Sequence, residues 1–527
     1  MKMLPILLPW LFALSCTSSP APTSEAPRHI LVIVGDDHAY TALGAYGNAY
    51  IQTPGLDRLA REGLLFRRAY ANAPICSATR QSALCGKYPH ATGVNLLFTP
   101  FPDEPNVTIA EQLQAAGVHT AIIGKTHFNS WVWGPLYAEG APTHGFDQTI
   151  EKGDWRRWRA GQADLSLPTG MPTRENPAQP RDPKDIRWLK NADMLPVAER
   201  APQSEAAFLA DQAIQQLATH AGDRTFTWLA FHEPHAPFAY PVDFQELYDP
   251  DSVPLPLGSP EDDRWVPAIF RGLTEAERRG IITSYYRSVT HMDRQVGRVL
   301  DALDSLGLAE ETLVIYFGDQ GYLLNDHKRF EKHTFWKEAI QTPLLMRGPG
   351  VPQGAETGAL VSLVDLAPTL ADFAGMEPHP DHQGHSWRPI LAGPDTARGQ
   401  AYVFAEYLHD HMAMVASARW KYVFATGKRD LDLTYETGLG PSGIFHRLYD
   451  LENDPAETTN LAYRPDQAGR VAELQQVMLG FFQDTHPDAA QLPAELNTLG
   501  QLVWFCEPRD LGASYGDRPD RVFIPEE

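Results

Sequence analysis

The stretch from residue 72 to residue 93, NAPICSATRQSALCGKYPHATG, places a cysteine four positions before an arginine. Alone, Cys76 fits a buried thiol that packs as a small apolar side chain, or one half of a disulfide with Cys85 or Cys506. Beside Arg80 and near a metal ion, the same sulfur would lie in electropositive surroundings that favour reactivity. The rest of the sequence has to discriminate between a structural and a chemical role.

Pairs of oxygen-bearing side chains follow two apolar runs. Asp36 and Asp37 come directly after HILVIVG, and Asp319 and Gln320 come directly after TLVIYFG. One such pair could consist of turn residues or a helix cap, but adjacent carboxylates repel each other unless a cation lies between them. Two strand ends that supply only oxygen ligands predict Ca²⁺, with Mg²⁺ as the alternative, in preference to zinc.

Basic side chains follow two further apolar runs: Lys125 and His127 after TAIIG, and His232 and His235 after FTWLAF. Each histidine alone would more often be structural. Hydrolysis of an anionic ester, however, needs a general base, a general acid and fixed positive charge over the non-bridging oxygens. The group as a whole therefore predicts a site for hydrolysis of an anionic ester.

These residues have to be positioned by the elements that precede them. The four runs are apolar throughout, which is typical of strands covered on both faces in a parallel sheet. Helical periodicities lie between them: TPGLDRLAREGLLF, TIAEQLQAAG with a capping-box spacing at Thr108 and Glu111, and SVTHMDRQVGRVLDALDSLG. The pattern predicts an α/β fold, a large doubly wound, mostly parallel sheet with helices on both faces. The polar residues are then expected at one edge, the carboxyl ends of the strands.

From about residue 398 the pattern changes to shorter, aromatic-rich strand-like segments, followed by a helix around residues 471–482. We therefore predict three parts. Residues 1–27 are a leader and tether, residues 28–397 an α/β catalytic domain, and residues 398–527 a smaller C-terminal α+β subdomain with a tail.

The overall charge limits the class of partner. Of the 527 residues, 44 are Lys or Arg and 66 are Asp or Glu, which gives a formal net charge of -22. Nucleic-acid binders hold phosphates with an excess of Lys and Arg, so this class is excluded. Any anionic substrate must instead meet a local cluster of cations.

The first residues, MKMLPILLPWLFALSC, combine one lysine with an apolar run too short to cross a bilayer, which is typical of a secretory signal. ALSC resembles a bacterial lipobox, which predicts lipidation of Cys16 and a periplasmic or cell-surface, lipid-anchored protein. Cleavage by an ordinary signal peptidase is the alternative.

Cys76 to Arg80, CSATR, followed by LCGK, resembles the signature of the formylglycine-dependent (type I) sulfatases of the alkaline-phosphatase-like superfamily. In that family the cysteine of a Cys-x-Pro/Ala-x-Arg motif is oxidised to an aldehyde by a formylglycine-generating enzyme. Later segments resemble further family blocks in order, from about residue 29 to about residue 462: IIGKTHF, FHEPHAPF, GDQGYLLNDH, TPLLMRGPG, VDLAPTLADFAG and LYDLENDPAETTNLA.

The resemblance implies a role for each matching residue. One Ca²⁺ is held by four oxygen-bearing side chains, those of Asp36, Asp37, Asp319 and Gln320. The formylglycine at position 76 also touches this ion. Arg80 and Lys125 then steady the modified residue, and Lys125 and Lys332 contact the sulfate. His127 serves as base and His235 as acid, while His232 only supports His235. Lys328 and Lys337 are nearby alternatives to Lys332.

The resemblance also implies an exported sulfatase, acting on a sulfated polysaccharide or its oligosaccharides. The Trp- and Arg-rich segment from residue 151 to residue 188 has weak periodicity, so we interpret it as a long excursion that carries specificity. Trp155 and Trp158 would stack on a sugar ring while Arg156, Arg157 or Arg159 meets a carboxylate or second sulfate. A surface helix with packed tryptophans is the alternative. Phosphonate or phosphate monoester hydrolysis, N-sulfamidase activity and non-catalytic glycan binding remain open as functions.

Overall fold

The described part of the chain is organised by a nine-stranded mixed sheet and by a four-stranded antiparallel sheet nearer the C-terminus, with a further two-stranded sheet. The computed structural model describes residues 26–97, 99–102, 104–128, 143–174, 185–256, 258–428 and 443–510. The secretory signal and the lipidation site at Cys16 lie outside the described residues and remain predictions.

The strands follow in chain order: β1 (His29–Gly35), β2 (Leu64–Tyr70), β3 (His119–Gly124), β4 (Gln148–Ile150), β5 (Thr225–Ala230), β6 (Thr312–Gly318), β7 (Leu323–Leu324), β8 (Phe330–Glu331), β9 (Gln341–Thr342), β10 (Leu344–Arg347), β11 (Ala355–Ser362), β12 (Val403–Tyr407), β13 (Met412–Ala416), β14 (Trp420–Ala425) and β15 (Phe445–Asp450).

The α-helices are α1 (Pro54–Arg61), α2 (Cys76–Cys85), α3 (Pro89–Thr92), α4 (Ile109–Ala115), α5 (Lys152–Ala160), α6 (Ile186–Leu189), α7 (Glu205–Thr219), α8 (Ala268–Arg271), α9 (Glu275–Ser305), α10 (Lys337–Ile340), α11 (Leu366–Phe373), α12 (Arg388–Leu391), α13 (Ala468–Thr485) and α14 (Thr498–Phe505). Among the described residues, none of these helices has both the length and the apolar character needed to cross a bilayer.

The large sheet has the order β11-β2-β10-β6-β1-β5-β3-β4, and β9 pairs with β2. Strands β6, β1, β5 and β3 are parallel neighbours, whereas β10 runs antiparallel to both β2 and β6. The four strands predicted from apolar runs are therefore adjacent. Their carboxyl ends meet at one edge, as predicted.

Both faces of the large sheet are buried because its strands alternate between two cores. Leu31 and Ile33 of β1 join a core with residues of α1, α7 and α9. Ile30, Val32 and Val34 point to the opposite face, into a core that includes residues of α4 and α11. The predicted doubly wound arrangement is confirmed, with an antiparallel contribution from β9 and β10.

The segment TPGLDRLAREGLLF is helical only as far as Arg61, so the longer predicted helix was wrong. Its last residues begin β2, which pairs with β10 and β11. Gly63 marks the change, because a Cβ atom there would lie 1.9 Å from the carbonyl oxygen of Met346. Pairing with neighbouring strands thus overrides the local helical pattern.

The second sheet has the order β12-β13-β14-β15 and is antiparallel throughout. Its apolar face packs on α13 and α14, with Val415 and Phe424 against Phe482 and Leu502. The smaller C-terminal α+β unit predicted from the change of pattern is confirmed, while its boundary at residue 398 stays a prediction.

Candidate active site

Cys76 is the first residue of α2, and its side chain is buried at the carboxyl edge of the large sheet. The Nζ atom of Lys332 lies 3.8 Å from its sulfur. Burial raises the pKa of the Cys76 thiol, although Lys125 and Lys332 partly oppose this effect. Within the described part of the chain, Cys76, Cys85 and Cys506 are all free and buried. Cys76 therefore forms no disulfide with either of the other two cysteines.

Arg80 follows Cys76 by about one turn of α2, which directs both side chains into the same site. Its Nε donates to Asp319 Oδ2 at 2.8 Å, and its Nη1 donates to the backbone oxygen of Lys125 at 2.9 Å. Its Nη2 lies 3.9 Å from Asp36 Oδ1. The guanidinium therefore joins the ends of three different strands to the helix that carries Cys76.

The carboxylates meet where the sequence predicts a cation. One ligand atom each from Asp36, Cys76 and Asp319 lies within 4.8 Å of the other two, and the same holds for Asp36, Asp37 and His235. Asp37 donates its backbone N–H to Asp319 Oδ1 at 2.9 Å. The strand-end residues thus form one cluster.

Two lysines neutralise part of this negative charge. Lys125 contacts the Asp36 carboxylate and Lys332 contacts the Asp37 carboxylate. Burial raises the pKa of Asp36, but Lys125 and His235 outweigh it and hold the pKa well below its usual value. Burial raises the pKa of Asp319 to about 6 against the opposing effect of Arg80.

The donor set fits a hard divalent cation. Asp36 Oδ1 and Gln320 Oε1 are buried oxygens without a hydrogen-bond partner among the described residues, and the Gln320 amide contacts Asp37. Carboxylate and amide oxygens are ligands typical of Ca²⁺ and Mg²⁺. Asp36, Asp37, Asp319 and Gln320 could therefore hold such an ion.

Both predicted proton-transfer histidines, His127 and His235, are partly exposed. Burial lowers the pKa of His127 well below its usual value, with Lys125 and Arg80 adding to the effect, and its Nδ1 has no partner among the described residues. His235 donates from Nδ1 to the Ala236 carbonyl oxygen at 2.7 Å, and its Nε2 lies 3.7 Å from Asp37 Oδ2. Both rings therefore lie beside the cluster of carboxylates and lysines.

His232 faces away from this cluster and lies 2.7 Å from Glu205 at the start of α7. Lys152 reaches the same carboxylate at 3.0 Å. The sequence analysis missed Glu205, because a glutamate after the helix-capping Ser204 carries no signal of a contact with a residue 27 positions later. Glu205 therefore contacts His232 and Lys152 rather than the carboxylate cluster.

The structure places the three candidate lysines differently. Lys332 points to Cys76, whereas the partly exposed Lys328 pairs with Asp263 at 2.6 Å. Lys337 donates to the backbone oxygen of Pro455 at 2.6 Å. Of the three, Lys332 is therefore the one positioned for chemistry at residue 76.

The start of the Trp- and Arg-rich segment forms α5, which packs on α7, and residues 175–184 of the segment lie outside the described residues. Trp158 lies 5.4 Å from the Phe208 ring, and Trp155 donates to the Gln203 carbonyl oxygen at 3.0 Å. Arg157 and Arg159 pair with nearby aspartates, and Arg156 is exposed. A substrate-binding role for these five residues stays a prediction.

Buried lysines beside a group of carboxylates that could hold a metal ion, at the carboxyl edge of an α/β sheet, are suited to hydrolysis of an anionic ester. The sulfatase family model matches residues 28–376, and a second model, described as N-sulphoglucosamine sulphohydrolase, C-terminal, matches residues 325–483. Since the first match covers more than half of the sequence, the chain belongs to the sulfatase family. Its activity is hydrolysis of sulfate esters.

Characterised relatives are distant but match over most of their length. The chain is 26% identical to an N-acetylglucosamine-6-O-sulfatase of Bacteroides thetaiotaomicron, over 92% of both chains. It is 27% identical to a choline-sulfatase of Rhizobium meliloti, over 84% of both.

Among solved structures, a phosphonate monoester hydrolase of Silicibacter pomeroyi superposes with a TM-score of 0.70 at 24% identity, covering 88% of this chain and 96% of that one. A protein in complex with its substrate D-glucosamine-2-N,6-O-disulfate superposes with a TM-score of 0.66 at 21% identity, covering 88% and 99%. These similarities confirm the fold.

Proposed function

We propose that this protein is an exported sulfatase that removes sulfate from a sulfated polysaccharide or its oligosaccharides, with a formylglycine made from Cys76 as its nucleophile. The observation that carries the proposal is the position of the Cys76 side chain. Its sulfur lies 3.8 Å from the Lys332 ammonium and within 4.8 Å of a carboxylate oxygen of Asp36 and of Asp319. A nucleophile attached to the Cβ atom of residue 76 can therefore attack the sulfur atom of a sulfate group that Lys332 holds.

An unmodified cysteine is poorly suited to this reaction, because burial raises the pKa of the Cys76 thiol and so disfavours the thiolate. A hydrated aldehyde at this position supplies an oxygen nucleophile and a second hydroxyl group through which sulfate can be released. Arg80 orients the side chain at residue 76, since its guanidinium is fixed by Asp319 and by the backbone of Lys125.

The proposed metal is Ca²⁺, with Mg²⁺ as the alternative, held by Asp36, Asp37, Asp319 and Gln320. When bound, it supplies positive charge next to residue 76 and to the sulfate oxygens. The two buried oxygens without hydrogen-bond partners support this ligand set.

Side chains of the protein bind the sulfate and transfer the protons. Lys125 and Lys332 hold the sulfate oxygens and stabilise the negative charge that grows on them in the transition state. His127, kept neutral by burial and by the neighbouring cations, accepts a proton from a hydroxyl group at residue 76. His235 donates a proton to the oxygen of the leaving alcohol.

Two observations support export and a carbohydrate substrate. The leader sequence is typical of a secreted protein, and the relatives include an N-acetylglucosamine-6-O-sulfatase and an ulvan-active sulfatase. Since another relative is a choline-sulfatase, a sulfate ester of a small metabolite is the alternative substrate.

Two related activities are favoured by specific similarities. The phosphonate monoester hydrolase superposition supports a phosphoester or phosphonate substrate, and the C-terminal family match supports cleavage of an N-sulfate. Relative rates on an aryl sulfate, an aryl phosphonate and an N-sulfated glucosamine would discriminate among them. Calcium-dependent glycan binding without any hydrolysis would favour the non-catalytic alternative.

The decisive test is the mass of the tryptic peptide AYANAPICSATR, residues 69–80, from protein made together with a formylglycine-generating enzyme. We expect an aldehyde or its hydrate in place of the thiol, together with hydrolysis of an aryl sulfate. An unmodified cysteine, while a control sulfatase is converted in the same host, would contradict the proposal.

A further inference from the structure

Asp37 carries one carboxylate of the candidate metal site and lies in the turn that follows β1. Its φ angle is 63°, in the left-handed region that glycine adopts freely and that aspartate adopts at a cost. Its side chain contacts Lys332 and the Gln320 amide, and its Oδ2 lies 3.7 Å from His235 Nε2. The surrounding structure therefore has to hold this residue in a conformation that it would seldom adopt alone.

Buried side chains fix both backbone groups of Asp37. Its N–H donates to Asp319 Oδ1 at 2.9 Å, and its carbonyl oxygen accepts from the Tyr285 hydroxyl group at 2.5 Å. The same hydroxyl oxygen accepts from the Ala39 N–H at 2.8 Å. One phenol group thus joins the backbone of residues 37 and 39 and closes the turn between them.

The Tyr285 ring is held in place by other aromatic rings. Tyr285 belongs to α9 and is fully buried, and its ring lies 5.2 Å from that of Phe238 and 5.4 Å from that of Tyr322. Phe238 follows His235 in the chain, and Tyr322 follows Gln320. The ring therefore packs against two further segments that supply residues to the candidate site, while its hydroxyl group binds the turn that carries Asp37.

The middle of the turn is held by side chains that are not candidate metal ligands. The His38 ring pairs through Nδ1 with the Tyr316 hydroxyl group at 2.5 Å and through Nε2 with the Ala42 carbonyl oxygen at 3.0 Å. Gly35 leaves room for the Tyr316 hydroxyl group, because a Cβ atom at residue 35 would lie 2.6 Å from it. Hydrogen bonds within the protein therefore form this turn, independently of a bound cation.

We propose that Tyr285 is a positioning residue for the metal site: its hydroxyl group holds the backbone of Asp37 in the left-handed conformation and so sets the affinity for the divalent cation. The inference rests on the proposed sulfatase function and its metal site, and deepens it by assigning a role to a residue outside the ligand set. When the turn leaves this conformation, only a fraction of the metal-free protein is competent to bind, and the apparent Kd rises as that fraction falls.

Tyr285→Phe removes the hydroxyl group and keeps the ring that packs on Phe238 and Tyr322. Two buried backbone groups lose this partner, so we expect the Kd for Ca²⁺ to rise roughly tenfold or more. Isothermal titration calorimetry of chelator-treated, full-length protein measures this Kd. The Tm of the same metal-free protein measures the general loss of stability separately.

Tyr248→Phe is the matched control, because it also removes a buried tyrosine hydroxyl group. The Tyr248 hydroxyl group accepts from the Gln52 N–H at 2.8 Å and pairs with Thr290 Oγ1 at 2.5 Å, and both partners lie outside the candidate site. Tyr248→Phe should lower the Tm of the metal-free protein, as Tyr285→Phe does, but should keep the wild-type Kd for Ca²⁺.

Hydrogen exchange provides a second test, which needs no variant. Because the Ala39 N–H is held by Tyr285 and not by a cation, this amide should exchange slowly in chelator-treated wild type, at a rate close to that of the Ca²⁺-bound protein. Mass spectrometry of fragments that begin or end near residue 39 measures the rate. Rapid exchange that becomes slow only after addition of Ca²⁺ would show that the cation forms the turn, and would overturn the inference.

A Kd in Tyr285→Phe equal to that of the wild type would also overturn the positioning role, and would leave the proposed sulfatase function intact. Absence of Ca²⁺ and Mg²⁺ binding by wild-type protein would instead contradict the proposed metal site, and with it this inference. The wild-type titration therefore distinguishes the failure of one from the failure of the other.

Discussion

The ammonium of Lys332 lies 3.8 Å from the sulfur of Cys76, whereas Lys328, four residues earlier, pairs at the surface with Asp263. The two lysines share one short segment but differ in environment. Charge on Lys332 can act on a sulfate held at residue 76, and charge on Lys328 is screened by solvent. This contrast provides a matched pair for mutagenesis.

Lys332→Ala is therefore expected to reduce kcat by roughly 10²–10³-fold, the usual loss when a fixed transition-state charge is removed. Lys328→Ala should reduce it less than about twofold, since an exposed ion pair contributes little. Steady-state kinetics of matured protein with an aryl sulfate measures both. Similar losses in the two variants would show that Lys332 is not specific to the chemistry.

His235→Asn should affect substrates according to their leaving group. A sugar alcohol is a poor leaving group and needs protonation, whereas nitrophenolate leaves without it. We expect kcat on a sulfated sugar to fall by about 10²-fold or more, and kcat on 4-nitrophenyl sulfate to fall much less. The control is His220→Asn, since His220 pairs with Asp223 and is remote from the site. Equal losses on both substrates would contradict the acid role.

Calcium should stabilise the folded protein through Asp319. Binding to the folded state alone adds about 2.7 kcal/mol at a ligand concentration 100 times Kd, which raises Tm. We expect Ca²⁺ to raise the Tm of chelator-treated wild type and to restore its activity. Asp319→Asn should lose most of the Tm increase, and Asp263→Asn should keep it. Thermal unfolding with and without Ca²⁺ measures this, and a full increase in Asp319→Asn would exclude Asp319 as a ligand.

Cys76→Ser should not sustain multiple turnover, because a single hydroxyl group can attack sulfur but offers no second hydroxyl for release of sulfate. Product formation should stop at or below one equivalent per enzyme, as measured in a burst experiment with aryl sulfate. Sustained turnover by this variant would contradict the formylglycine proposal.

Glu233 should make stability depend on pH. Burial, with Glu205 adding to it, raises the pKa of Glu233 from 4.5 to about 8. The folded state therefore holds a proton that the unfolded state releases, so stability falls as pH rises between about pH 4.5 and pH 8. The loss is on the order of a few kcal/mol.

Glu233→Gln removes this ionisable group and should flatten the fall in Tm between pH 5 and pH 8. The control is Glu246→Gln at an exposed position, which should keep the wild-type profile. Thermal unfolding across this pH range measures both variants. A Glu233→Gln profile as steep as that of the wild type would contradict the assignment.

Much of the site was determined by the sequence alone, because its residues follow continuous apolar strands. Parallel strands bring their carboxyl ends to one edge, so Asp36, Lys125, His235 and Asp319 could be predicted to meet without knowledge of any contact. The residue types also predict a hard divalent cation and hydrolysis of an anionic ester. The capping box at Thr108, set by local spacing, was confirmed as well.

Only the tertiary structure decided which of three nearby lysines reaches Cys76, and that Glu205 lies behind His232. It also placed the Tyr285 hydroxyl group on the backbone of Asp37 although the two residues are distant in sequence. Local patterns encode strand and helix type through short-range geometry. Contacts between side chains on different elements depend on how those elements pack, and no short segment of sequence carries that information.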